Sequence, residues 1–118
     1  MNADVMLFFG KAPQLLPVYE ALEEGILSRF PDATVTVQKS QIAFDNGRRF
    51  AFASLRGKRL VVTFGLGHRV ESPRIAQAVE PYPGRWTHHV IVQEMAGVDD
   101  ELFQWIHLAY DFAKQKGR

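Results

Sequence analysis

The residues of this chain with the most chemical potential fall into three groups, and the first is the adjacent pair His88-His89. Imidazole nitrogens ligate metal ions and transfer protons near neutral pH. Neighbouring side chains of a strand point to opposite faces, so the two cannot hold one metal ion together unless the strand contains a bulge. We interpret them as two separate hydrogen-bonding residues.

The second group is acidic and consists of Glu20, Glu23 and Glu24, on the solvated side of the first long predicted helix. Carboxylate oxygens are hard ligands, and an exposed cluster of them binds iron weakly. Three carboxylates on one helix are also ordinary solubility residues. They are the candidate metal site of an alternative, iron-binding interpretation.

The third group is basic and is hidden by a net charge of only +1. Residues 39–85 contain nine Lys or Arg against three acids, a local charge of +6, while the rest of the chain carries −5. Such a polarised field attracts anions, although acidic helices lying beside basic loops would use the same charges to stabilise the fold. An isoelectric point near 8.1 disfavours nucleic acid as the partner, so a nucleic-acid-associated role is a further alternative.

Arg85 and Trp86 place a guanidinium beside an aromatic ring, a combination that grips anions or stacks on planar groups. With Arg49 and His88 they form the predicted ligand-contact surface. Its expected occupant is a small anion or a protein partner, including a second copy of this chain in a homodimer.

Extended segments must position these residues. From Asp32 to Gly67 apolar and polar residues alternate with a period of two, and Asn46-Gly47 and the three-residue connection Arg56-Gly57-Lys58 predict hairpin turns. The predicted inner face is bulky: Val35, Val37, Ile42, Phe44, Phe50, Phe52, Leu60, Val62, Phe64 and Leu66. The predicted reverse face is small: Thr34, Thr36, Ala43, Ala51, Ala53, Val61, Thr63 and Gly65. Such a face suggests a cover, which could be the segment 67–86, a second subunit or a ligand.

Helices flank this sheet in the sequence. A short N-terminal helix ends at Gly10, and a long one follows with an apolar stripe from Leu15 to Phe30. Ser72 and a proline predict a short helix over Pro73–Val79, followed by a strand over 87–93. Acids at 99–101 open the last helix, whose predicted buried stripe is Leu102, Trp105, Ile106, Ala109, Phe112 and Ala113. The fold class is α+β: one domain over 1–118, a two-layer sandwich with an antiparallel meander of about five strands packed against N- and C-terminal helices.

Motifs for catalysis and cofactors are missing from the sequence. It contains no Gly-x-Ser-x-Gly elbow, phosphate-binding Gly-Lys-Ser/Thr loop or paired-histidine zinc helix, and it has no cysteine. No cofactor is therefore predicted, and an enzyme has the least support. The short apolar run near the N-terminus is neither a signal peptide nor a membrane span, so we expect a cytoplasmic protein that does not enter a membrane.

The C-terminal third resembles a known family. The strings Gly84-Arg85-Trp86-Thr87-His88-His89-Val90 and Val98-Asp99-Asp100-Glu101-Leu102, then Trp105 to Tyr110, are similar to the signature of bacterial domain-of-unknown-function family 5655. That family is related to the YdhG-like superfamily, some of whose members are described as frataxin-like iron chaperones. The resemblance covers nearly all of the chain and implies a helix-flanked antiparallel sheet, but it supplies no catalytic residues. The function expected is an uncharacterised small binding or interaction domain.

Overall fold

The computed structural model describes residues 3–116, in which three α-helices and six strands follow one another. The helices are α1 (Ala3–Phe8), α2 (Leu16–Arg29) and α3 (Asp100–Lys116). The strands are β1 (Thr34–Val37), β2 (Ile42–Asp45), β3 (Arg49–Arg56), β4 (Arg59–Leu66), β5 (Ile75–Tyr82) and β6 (Arg85–Val92). Short 3-10 turns at Pro13–Leu15 and Met95–Gly97 precede α2 and α3.

All six strands form one antiparallel sheet in the order β1-β2-β3-β4-β6-β5. The main core lies between one face of this sheet and the helices, and the helical residues that it buries include Leu22, Ile26, Leu102 and Ile106. The α+β sandwich is confirmed, with six strands in place of about five. The opposite face of the sheet has no helix packed on it in residues 3–116.

Both long helices begin where their sequence patterns predict, and each buries its predicted apolar stripe. The apolar stripe of α2 is buried at Val18, Tyr19, Leu22 and Ile26. Asp99 caps α3, because its Oδ1 accepts a hydrogen bond of 3.1 Å from the backbone N–H of Leu102. The predicted stripe of α3 is also confirmed, although Phe112 is only half-buried.

The two faces of β3 differ from the prediction because this strand contains a β-bulge. Phe44 pairs with Ala51 and Asp45 with Arg49, so Phe50 is an extra residue without an opposite partner. Beyond the bulge the alternation is shifted by one position. Ala51 and Ala53 therefore lie in the core, and Phe52 points to the helix-free side across from Thr63, which reverses the expected faces of these three residues.

The prediction of a short helix over Pro73–Val79 is wrong, because this segment leads into strand β5. Ser72 does act as a cap, but of a turn: its Oγ accepts from Arg74 N–H at 3.2 Å and its carbonyl accepts from Ile75 N–H at 3.1 Å. The chain then pairs with β6 and returns through Pro83-Gly84, where the φ of +83° at Gly84 suits the turn. Segment 67–86 thus extends the sheet edge and does not cover the reverse face.

Arg74 fixes the start of β5 to α3. Its Nη1 donates to Asp99 Oδ1 at 2.8 Å and to Glu101 Oε1 at 2.9 Å, and its Nη2 donates to Gly97 O at 2.9 Å. These hydrogen bonds hold the pKa of the Asp99 carboxyl below its ordinary value. One of the nine cations of the basic segment is therefore used to stabilise the fold.

The two long helices approach each other at Gly25 of α2. A Cβ at this position would overlap the ring of Phe103 in α3, which also carries the Arg29 guanidinium 4.1 Å from its ring centroid. Glycine in a helix interior costs about 1 kcal/mol relative to alanine, so close packing explains its use here.

We expect Gly25→Ala to lower the free energy of unfolding by about 1 kcal/mol, because overpacking outweighs the gain in helix propensity. Urea denaturation measures this change. The control is the same substitution in a Phe103→Ala background, where the space is open and the alanine should raise stability. A stabilising Gly25→Ala in the natural background would contradict the packing described.

Candidate functional site

The predicted contact residues divide between the two faces of the sheet. Arg85 opens β6 on the helix-free side, and Arg49 opens β3 directly across from Asp45. Trp86 pairs with the buried Leu66 and His88 with the buried Phe64, so both point toward the helical layer. The fold brings Arg49 and Arg85 to the same end of one face, two strands or roughly 10 Å apart, and separates them from the other two.

We call the side of the sheet away from the helices the helix-free face. Its members include Ala43, Asp45, Arg49, Phe52, Ser54, Arg56, Arg59, Val61, Thr63, Gly65, Arg85, Thr87, His89 and Ile91. Ala43 and Val61 have almost no exposed surface yet are not part of the main core. Longer neighbours on the same face therefore shelter the small residues at its centre.

Arg85 lies flat on this face over Gly65. A methyl group at residue 65 would come within 2.7 to 2.8 Å of three atoms of the Arg85 guanidinium. Only glycine permits this approach, which explains a glycine inside a strand, where it is otherwise unfavourable. The sequence identified Gly65 only as one of the small residues of the reverse face, because nothing local signals the arginine above it.

A polar pair lies near the middle of the face. Thr63 Oγ1 and His89 Nδ1 are 2.9 Å apart across β4 and β6. Burial lowers the pKa of His89, and the positive charge of Arg56 lowers it further. His89 is therefore neutral at physiological pH and can exchange hydrogen bonds with a ligand without adding charge.

Arginines surround this centre. Arg56 and Arg59 lie directly opposite each other across the turn Gly57-Lys58, which has two residues where three were predicted. Like charges placed opposite each other in a ladder are unfavourable for the isolated fold. An anionic partner would relieve this repulsion.

The acids nearest to the face are engaged locally. Asp45 Oδ1 accepts from Thr34 Oγ1 at 3.2 Å and from Gly47 N–H at 3.3 Å. Glu80 Oε2 accepts from Gly84 N–H at 3.3 Å in the β5–β6 turn. Phe52 and Ile91, both half-buried, add apolar surface between the arginines. Because four arginines outnumber Asp45 on this face, it is positively charged around a partly apolar centre.

His88 belongs to the core. It is fully buried and stacks on Phe64 with ring centroids 5.1 Å apart, and its Nε2 accepts a 2.9 Å hydrogen bond from Val70 N–H. Its Nδ1 has no hydrogen-bond partner among residues 3–116. Burial lowers the pKa of His88, although the nearby carbonyls of Phe64 and Trp86 oppose this. The two adjacent histidines face opposite sides of the sheet, as the alternation predicts.

The glutamates of the iron-binding alternative do not form a ligand cluster. Glu23 Oε1 accepts a 2.8 Å hydrogen bond from the Tyr19 hydroxyl, which is otherwise surrounded by core residues. Across the described range 3–116, no group of three or more His, Asp or Glu is arranged to hold a metal ion. Glu20, Glu23 and Glu24 are included in that statement.

The fold and this face define a small α+β domain with one covered and one open side of the sheet. The family model described as a domain of unknown function, DUF5655, matches residues 6–113, and the chain belongs to that family. No similar curated protein and no similar solved structure was found. None of the helices within residues 3–116 has both the length and the apolar character that crossing a bilayer requires.

The lowered pKa of His88 predicts how stability depends on pH. The unfolded chain takes up the proton first as the pH falls below about 6.5, so stability is fully present above that value and is lost as the pH drops toward the lower folded-state pKa. Urea denaturation at pH 7.5 and 5.5 should show this loss in the natural protein and a smaller one in His88→Gln. His89→Gln serves as a comparison, because the pKa of His89 shifts in the same direction. An equal loss with and without His88 would show that its burial is not coupled to folding.

Proposed function

We propose that this chain is a binding domain whose contact surface is the helix-free face and whose partner is an acidic protein segment. The observation that carries the proposal is the set of four arginines, Arg49, Arg56, Arg59 and Arg85, around a floor of small and apolar residues that no helix within residues 3–116 covers. A guanidinium fork pairs with a carboxylate through two parallel hydrogen bonds.

A protein partner fits this face better than a nucleic acid does. Arginine and aromatic residues are enriched in protein interfaces, and here Phe52 and Ile91 lie between arginines, with Val79 41% exposed on the neighbouring strand β5. The isoelectric point of 8.1 is low for a nucleic-acid-binding domain.

A second copy of this chain is a less favoured partner for this face than an acidic protein segment. A two-fold contact would place the arginines of one copy against the arginines of the other. Like charges brought together at an interface cost several kcal/mol. An acidic partner supplies charges that the arginines attract, and it can also cover the apolar residues of the same face.

The frataxin-like iron-binding alternative has less support from the contacts of its glutamates. Tyr19 occupies one carboxylate oxygen of Glu23, and the metal-site geometry described above favours no iron ligand set. A nucleic-acid partner remains a second outcome of the binding test.

The test uses fluorescently labelled poly-L-glutamate as the acidic probe and measures its anisotropy on titration with the protein. Arg85→Gln and Arg56→Gln should each weaken binding about threefold to tenfold, since one charged contact contributes on the order of 1 kcal/mol. The matched control is Arg69→Gln, which removes the same charge from the loop before β5, where Arg69 pairs with Glu71 at 3.5 Å. It should change the affinity less than twofold.

Gly65→Ala separates the position of Arg85 from its charge. The added methyl group displaces the guanidinium while net charge stays the same, so affinity should fall as it does for Arg85→Gln. Equal weakening by Arg69→Gln would show unspecific attraction and overturn the proposal. Tighter binding of a single-stranded oligonucleotide with a steep salt dependence would replace the protein partner with a nucleic acid. Sedimentation that shows a dimer dissociated by Phe52→Asp would establish the homodimer instead.

A further inference from the structure

A groove on the other side of the molecule has a different chemistry from the helix-free face. It lies between the end of α1, the β1–β2 connection and the β3–β4 turn, it is open to solvent, and its volume is about 450 Å³. This volume is within the range of small-molecule sites, roughly 300 to 1,000 Å³. None of the four arginines of the helix-free face lines it.

Three of the side chains that line the groove are apolar. Leu7, Phe8 and Leu55 line it, and Leu7 is 78% exposed although it lies on a helix that buries Val5 on its other side. Met6 beside it is 54% exposed. Single exposed aliphatic residues are common, but here they adjoin a concave surface that an apolar group could fill.

The polar side chains that line the groove are cationic or neutral. Lys11, Lys39 and Ser40 line it, and no acidic residue does. Within residues 3–116 neither lysine side chain nor the Ser40 hydroxyl has a hydrogen bond or ion pair. Two ammonium groups and a hydroxyl are therefore available to an anion at the mouth of an apolar cleft.

We infer that this groove binds a small amphipathic carboxylate, an anion with a short apolar chain. Lys11 and Lys39 meet the carboxylate, and Ser40 donates a further hydrogen bond to it. The apolar chain lies on Leu7, Phe8 and Leu55, where its burial removes both the ligand and these side chains from water.

Octanoate is the probe, and isothermal titration calorimetry at low ionic strength measures its affinity. Lys11→Gln with Lys39→Gln should weaken octanoate binding at least tenfold. The matched control is Lys58→Gln in the adjacent turn, which removes one cation of the same hairpin end but does not line the groove. It should leave the affinity within twofold of the natural protein.

Two further ligands separate the roles of charge and chain. Acetate lacks the apolar chain and 1-octanol lacks the charge, so each should bind at least tenfold more weakly than octanoate. Arg85→Gln should leave octanoate binding unchanged, which makes this result independent of the helix-free face. Absence of octanoate binding, or binding that Lys58→Gln weakens as much as the two groove substitutions, would overturn the inference.

Discussion

The β-bulge at Phe50 is the local constraint on which both faces of the sheet depend. The bulge directs the Phe50 ring toward Phe30 and Tyr110, whose ring centroids lie 5.6 and 5.2 Å from that of Phe50. Phe30 and Tyr110 also stack on each other, with their centroids 4.3 Å apart. The cluster joins the end of α2, the start of β3 and the middle of α3. Aromatic contacts of this kind add about 0.5 to 1.5 kcal/mol per pair to the apolar burial, so the bulge is held by interactions that a regular strand would lose.

Hydrogen bonds fix the same corner from outside. The Tyr110 hydroxyl donates to the Asp32 carboxylate, whose oxygens lie 2.7 and 2.9 Å away, and Asn46 Nδ2 donates to Asp32 Oδ2 at 3.4 Å. The Tyr110 hydrogen bond is the main reason that the pKa of Asp32 is lowered. The turn that starts β3 is thereby tied to α3. Beyond it, small Ala51 and Ala53 lie beneath the helices and Phe52 lies outside, so the corner that completes the core also supplies the helix-free face with its aromatic residue.

Much of the fold was accessible from the sequence because its signals are local. Helical periodicity identified α2 and α3, and Asn46-Gly47 identified the β2–β3 hairpin. Strict alternation predicted the wrong faces for Ala51, Phe52 and Ala53 of β3. A pattern of apolar residues does not reveal a bulge, and Phe50 and Phe52 are equally hydrophobic. The prediction for the segment after Ser72 was wrong for another reason. A capping serine followed by proline begins turns as well as helices, and here pairing with β6 stabilises the strand that follows the turn. Of the residues proposed to contact the partner, the sequence predicted Arg49 and Arg85, whereas the proximity of Arg56, Thr63 and His89 emerges only when three strands are aligned side by side.

We propose that the helix-free face, set by the bulge, contacts an acidic partner. The most direct test of this proposal is a map of backbone amide chemical shifts in the ¹⁵N-labelled protein on addition of poly-L-glutamate. We expect the largest changes on β3, β4 and β6, at Phe52, Thr63, Gly65 and His89. Changes concentrated on α2 and α3, with these four amides unmoved, would contradict it.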